Sequence, residues 1–279
     1  MGKAEPIGII TGAAGGVGLA SARLIGRRLP LLVTDIDPER TEATVRMLGH
    51  EGYQVEGVAG DLADAATIRQ LVGRLRQLGR PRALVHAAGL SPALADWRRI
   101  IRANAIGTWR LLAGIEPLLQ PGSTAVLVAS VAGHLAPREP AIERLLQDPL
   151  AEGLLEALQP RFEALLVQHP GSMEGHAYSC SKRAIIDTCK ARAAQWGQCG
   201  ARIVTVSPGG MWTAMGRAES EHGARVNAVI KATPAGRWGT AIEVASAIEF
   251  LLSPLASYIT GTDLLIDGGA AAALSGTTL

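Results

Sequence analysis

The 279 residues carry 27 Lys and Arg against 25 Asp and Glu, a net charge of +2 at pH 7, with the basic side chains scattered along the chain. That balance excludes a chain built to neutralise nucleic acid or an anionic membrane, and points to small molecules or further copies of itself as partners. At 48% hydrophobic and 19% charged, the chain can bury one continuous core, and open α/β folds hold this length in one domain.

The N-terminal "MGKAEPIGIITG" enters an apolar strand pattern at once, without a signal segment, and Pro6 stands where a myristoylation signal needs Ser or Thr. No apolar run approaches a membrane span. Cys180, Cys189 and Cys199 are odd in number and lack ligand spacing, which argues against a disulfide framework or a metal site. A soluble, cytoplasmic protein is expected.

Along the chain, "IGIIT", "LPLLVTD", "YQVEGVAGD", "RALVHAAG", "STAVLVAS", "ARIVTVSPG" and "DLLIDGG" alternate with stretches of helical period. Runs of this kind are strands buried on both faces, with crossover helices between them. The order predicts a Rossmann-like doubly wound parallel sheet in a single domain over residues 1–279.

The first strand runs into "TGAAGGVGLA", where Thr11, Gly12, Gly16 and Gly18 give the spacing TGxxxGxG. Glycines let the backbone approach a pyrophosphate, and the helix that follows offers free N–H groups and a positive dipole end. The second strand ends at Asp35, where a carboxylate accepts hydrogen bonds from an adenosine ribose diol and repels a 2′-phosphate. No Lys or Arg lies within the glycine loop, so NAD is expected over NADP, with Arg40 as the counter-indication.

Asn104 lies in the helical stretch "RANAIGT", and Ser130 ends the strand "STAVLVAS" at the carboxyl edge of the sheet. From His134 to His176 the alternation stops. Pro140, Pro149 and Pro160 each stand where a helix can begin, Asp148 is a candidate N-cap, and leucines recur at threes and fours from Leu145 to Leu166. Two or three short amphipathic helices are predicted over residues 134–176. Beyond them, Tyr178 and Lys182 are four apart and share one face of a helix. A phenol has a reference pKa near 10, and lowering it by about two units takes roughly 3 kcal/mol. An ammonium about 4–5 Å away, at an effective dielectric of about 20, supplies that much.

Taken together, the TGxxxGxG turn, "GDL" at Gly60 to Leu62, "HAAG" at His86 to Gly89, Asn104, Ser130, Tyr178, Lys182 and "SPGGMWT" at Ser207 to Thr213 make the chain resemble the short-chain dehydrogenase/reductase family over nearly its whole length. The resemblance implies an NAD-dependent oxidoreductase that interconverts a secondary alcohol and a ketone. Tyr178 is then the general acid or base. Lys182 depresses its pKa and binds the nicotinamide ribose, Ser130 donates to the substrate oxygen, and Asn104 holds a water that links Lys182 to solvent. Thr11, Gly12, Gly16, Val17 and Gly18 hold the pyrophosphate, Asp35 with Ile36 the adenosine ribose, and Asp61 with Leu62 the adenine. Ala88 and Gly89 let the backbone near the cofactor, while Pro208, Gly209, Met211 and Thr213 lie by the nicotinamide.

Two departures stand out. "HAAG" replaces the family's frequent Asn-Asn-Ala-Gly, and His86 reads as a packed or hydrogen-bonded core residue. His134 and His176 read as surface residues. Ser130 and Tyr178 are 48 positions apart, far more than the family needs. A small subgroup of bacterial hydroxysteroid dehydrogenase/carbonyl reductases carries helices at this point, and the "AWGEAGVR"-like wording of that subgroup is echoed by "AQWGQCGAR" at Ala194 to Arg202. The leucine stripe can be buried on its own domain, in a changed subunit contact, or over the substrate. Self-assembly as a homodimer or homotetramer is expected. Met211, Trp212 and Met215, within "MWTAMGRAESEHGARVNAVI", suit an apolar cyclic or steroid-like substrate. The competing readings are a β-ketoacyl-thioester reductase, against which Asp35 counts, and a dinucleotide-sensing regulator without catalysis, against which the four-residue set counts.

Overall fold

The seven apolar runs form one parallel sheet: β1 (Pro6–Thr11), β2 (Leu31–Asp35), β3 (Val55–Ala59), β4 (Arg80–His86), β5 (Thr124–Val128), β6 (Arg202–Pro208) and β7 (Asp263–Ile266), in spatial order β3-β2-β1-β4-β5-β6-β7. The computed structural model describes residues 5–222, 230–231 and 233–275. Every neighbouring pair is parallel, so each connection crosses over a face and the sheet lies between two helical layers.

Side chains alternate between those layers with period two. Ile9, Leu32, Leu84, Leu127 and Ile203 face α3 (Ala65–Leu78), α5 (Gly107–Ile115) and α9 (Met173–Gln198), where Leu71, Leu112, Ile185 and Trp196 meet them. Their neighbours Ile10, Val33, Val85, Val126 and Val204 face α1 (Gly16–Ile25), α2 (Pro38–His50) and the helix Ala241–Leu252. The doubly buried pattern fails only at the edges. Leu264 and Leu265 of β7 are each 40% exposed, because an edge strand has a neighbour on one side alone.

Between β4 and β5, α4 (Trp97–Ile101) runs through a π-helical turn, Arg102–Ile106, into α5. Asn104 sits in that wide turn, a local geometry often found at functional positions.

After β5 come α6 (Val131–His134), α7 (Pro140–Leu145) and α8 (Leu154–Gln168). Pro140 opens α7 as expected, with the Glu139 carboxylate accepting the Ala141 N–H at 3.1 Å. Pro149 begins no helix and lies among turns, and Asp148 caps none. Pro160 lies inside α8. Leu154, Leu158, Phe162 and Leu165 are buried along one side of α8, and that continuous apolar face outweighs the N–H bond a proline forfeits. They pack with Trp97, Ile100 and Ile101 of α4 and with Ala177 and Cys180 of α9. The Trp97 and Phe162 rings meet edge to face at 5.6 Å. Leu154, Leu158 and Leu165 of the leucine stripe are thus buried on the domain itself, whereas Leu150 is 37% exposed.

Residues 173–176 belong to the first turn of α9, which Ser172 caps by accepting the Gly175 N–H at 3.0 Å. His176 is buried, contrary to the surface reading, because its Nε2 turns inward to the His169 carbonyl at 3.0 Å. His134 is partly exposed and its Nε2 lies 2.8 Å from the Asp263 carboxylate. Cys180 and Cys189 are buried free thiols and Cys199 an exposed one. Among the described residues, no helix is long and apolar enough to cross a membrane.

Leu158→Ala should lower the free energy of unfolding by about 2–5 kcal/mol, because the side chain is fully enclosed between α4, α8 and α9. Urea titration followed by circular dichroism measures this, and a loss near zero would place α8 outside the cooperative core.

Candidate active site

At the carboxyl edge of the sheet, where β1 and β4 lie side by side and the chain departs to opposite ends, a cleft of about 440 Å³ opens. This is the position that open α/β folds give to a ligand.

One end is built around the glycine turn. Gly12 has φ +64° and packs so closely on the β4 exit that a Cβ there would stand 2.7 Å from the Ala88 nitrogen. A Cβ on Gly18 would stand 2.1 Å from the Gly12 carbonyl oxygen. Gly12, Gly16, Val17 and Gly18 line the cleft. Thr11 does not; it is enclosed beneath the turn, where its hydroxyl accepts the Ala88 N–H at 3.2 Å. Asp35 and Ile36 line the same end. The Asp35 carboxylate accepts the Ala14 N–H at 3.2 Å and so fastens the turn it faces. Arg40 lines the cleft as well, and its guanidinium donates to the Ala14 carbonyl at 3.3 Å. Asp61 and Leu62 follow β3 on the cleft wall, Asp61 accepting the Ala63 N–H at 2.8 Å, and Ala88 and Gly89 complete it.

Ser130, Tyr178, Lys182, Pro208, Gly209 and Met211 also line the cleft, and so does Thr213, which lies beside Gly16 of the glycine turn. Ser130 is the N-cap of α6, its Oγ accepting the Ala132 N–H at 3.2 Å. The hydroxyl keeps its own proton to donate. Tyr178 and Lys182 stand one turn apart on α9, the ammonium 5.8 Å from the phenol ring centre. Lys182 is only 6% exposed, and its Nζ donates to the Val128 carbonyl at 2.9 Å.

Asn104 is fully buried behind the cleft, its amide occupied by the Leu90 N–H (2.8 Å), the Leu90 carbonyl (3.0 Å) and the Ser181 hydroxyl (3.1 Å). A side chain with those partners holds the loop after β4 in place. Gly89 sits over it: a Cβ there would stand 3.0 Å from Asn104 Oδ1 and 3.4 Å from Lys182 Nζ.

His86 is buried and does not reach the cleft, as its core reading requires. Burial, reinforced by the Lys182 charge, pushes its pKa down to about 3. Trp212 also stays outside the cleft. It is 55% exposed and packs edge-on against Trp238 at 5.7 Å, whereas Met211 and Met215 line the wall. Residues 223–229 of that segment lie outside the described residues. Leu90 and Leu94, on the loop after β4, also line the cleft. Their only sequence signal is two leucines in a connection that leaves a strand end. Thr34 is the other addition: its Oγ1 is buried at the Asp35 end without a hydrogen-bond partner.

The family model described as short chain dehydrogenase matches residues 7–140, and one described as enoyl-(acyl carrier protein) reductase matches residues 165–271. The 3-alpha-hydroxysteroid dehydrogenase/carbonyl reductase of Comamonas testosteroni is 33% identical over 245 residues, spanning 81% of this chain and 90% of that protein. D-threitol dehydrogenase of Mycolicibacterium smegmatis is 31% identical over 274 residues, spanning 94% and 92%. Among solved structures, a short chain dehydrogenase from Burkholderia cenocepacia in complex with NADP superimposes with a TM-score of 0.74 at 24% identity, covering 97% of this chain and 98% of that one. With the family model on the sheet and these relatives along nearly the full length, the chain belongs to the short-chain dehydrogenase/reductase family.

Proposed function

We propose that the protein is an NAD-dependent dehydrogenase that interconverts a secondary alcohol and a ketone on an apolar cyclic or steroid-like substrate. The observation that carries the reading is the convergence of Ser130, Tyr178 and Lys182 on one wall of a cleft whose far end holds Asp35. The cleft fits a dinucleotide on two counts. Its glycine turn leaves no room for a Cβ at Gly12 or Gly18, and the buried Thr34 hydroxyl lacks a partner that a polar ligand atom would supply. When bound, the nicotinamide supplies hydride acceptance or donation.

The rest of the chemistry belongs to the chain. Tyr178 exchanges a proton with the substrate oxygen, and the nearby Lys182 ammonium favours its phenolate form. The Val128 carbonyl fixes Lys182 in that position. Ser130 donates to the same substrate oxygen from a cap that cannot swing away while α6 is intact. Asn104 acts from behind, holding Leu90 and the Tyr178 helix together. Leu90, Leu94, Met211 and Met215 give the substrate an apolar wall. The relatives include both a hydroxysteroid and a threitol dehydrogenase, and this wall favours the less polar class. The exposed Leu264 and Leu265 edge supports self-association as a homodimer or homotetramer.

Tyr178→Phe should lower turnover of a cyclic alcohol such as cyclohexanol or a 3-hydroxysteroid by about 10²–10⁴-fold while NAD binding persists, read from reduced-cofactor absorbance and tryptophan quenching. Turnover equal to the parent's would remove Tyr178 from the chemistry. For the cofactor, Asp35 opposes a 2′-phosphate and Arg40 would welcome one. Asp35→Ala should therefore shift the ratio of kcat/KM for NAD over NADP by at least about tenfold towards NADP. A parent protein that already prefers NADP would overturn the NAD assignment.

A further inference from the structure

His86 closes β4 with both ring nitrogens engaged by hydroxyls: Nδ1 lies 2.7 Å from Thr11 Oγ1, and Nε2 lies 2.7 Å from Thr108 Oγ1. The outer groups set the direction of every proton between them. The Ala88 N–H donates to Thr11 Oγ1 at 3.2 Å, and the Thr108 hydroxyl donates to the Asn104 carbonyl at 2.6 Å. Thr108 has one proton and it is committed to that carbonyl, so its oxygen must accept from His86. The ring proton is therefore on Nε2. Nδ1 is bare and accepts the Thr11 proton. One tautomer satisfies the whole row, and an imidazolium would leave the Thr11 proton facing another donor.

The row continues past Asn104. Its side-chain amide donates to Ser181 Oγ at 3.1 Å, and that hydroxyl donates to the Tyr178 carbonyl at 2.8 Å. Thr11 lies under the glycine turn and Tyr178 on the substrate wall, so one line of hydrogen bonds spans the floor of the cleft.

We infer that His86, as the neutral Nε2–H imidazole, is a positioning residue that locks the glycine turn, the Asn104 turn and the first turns of the Tyr178 helix into one frame. This rests on Tyr178 as the proton-transfer group. The low pKa that burial and Lys182 impose on His86 agrees with a ring that stays neutral. A buried threonine pair is essential to the device: each hydroxyl both accepts and donates, which valine of the same shape cannot do.

The test combines a spectroscopic and a kinetic readout. In protein labelled with ¹⁵N-histidine, the signal lost in His86→Asn should show a protonated, pyrrole-like Nε2 and a bare, pyridine-like Nδ1 at neutral pH. Thr108→Val should lower kcat for a cyclic alcohol such as cyclohexanol or a 3-hydroxysteroid by about tenfold, leave the NAD dissociation constant within about twofold, and be rescued by Thr108→Ser. A proton on Nδ1, a doubly protonated ring, or Thr108→Val with unchanged kcat would each overturn the inference. Should Thr108→Val fail to fold, the ring signal and the Thr108→Ser kinetics still decide it: a bare Nε2, or Thr108→Ser with kcat lowered about tenfold below the parent's, would sink it. Failure of the Tyr178 reading is seen separately, as undiminished turnover in Tyr178→Phe with the ring signal intact.

Discussion

Seven parallel strands must all end on the same edge, and that constraint places every candidate residue of this protein. Each crossover returns the chain to the opposite edge, so the loops after β1 to β6 collect where the strands finish. The β1 and β4 exits are neighbours, and the chain leaves them in opposite directions. Gly12 has no side chain because the Ala87–Ala88 peptide occupies the space one would need. The floor of the cleft is therefore two backbones in contact, an arrangement that brings backbone N–H groups to a ligand without intervening side chains.

Two enclosed basic side chains flank this floor, Lys182 on the cleft wall and His86 beneath it, and they carry different charge states. Lys182 is nearly enclosed, and a buried ammonium is costly unless acceptors surround it; the Val128 carbonyl is one. His86, also enclosed, lies between hydroxyls whose own protons are directed by a backbone N–H and a backbone carbonyl. Its neighbours are satisfied only by the neutral ring. The Lys182 charge pushes the same way, disfavouring a second cation nearby. The charge is thus confined to the residue one helical turn from Tyr178.

Much of this was legible in the sequence, for identifiable reasons. Near-continuous apolar runs of strand length mark strands buried on both faces, and all seven such runs form strands. TGxxxGxG and the Tyr178–Lys182 spacing are local patterns whose geometry follows from one turn or one helix. What escaped was set by tertiary packing. Pro149 and Pro160 look alike in sequence, yet the first lies buried among turns and the second exposed inside α8, whose other face, Leu154, Leu158, Phe162 and Leu165, is held by α4 and α9. Trp212 reads as a wall of the substrate site until Trp238, 26 positions later, takes its ring. The partners of His86, Thr11 and Thr108, are 75 and 22 positions away, with no spacing rule to join them.

The helices α7 and α8 connect to the chemistry through α9. Ala177 and Cys180, which flank Tyr178, are buried in the cluster with Leu158 and Phe162, and Tyr178 packs partly against it. On its other side α9 carries Ile185, Ile186 and Cys189 into the core beneath the sheet. A helix gripped along two faces can neither roll nor slide without opening one of them, and closely packed interiors resist such shifts. The apolar stripe of α8 therefore does more than cover surface: it backs the turn of α9 from which the Tyr178 phenol reaches the cleft, while the Asn104 and Ser181 hydrogen bonds hold that turn from below. Packing fixes the orientation of the helix and hydrogen bonding its register, and the phenol inherits its position from both.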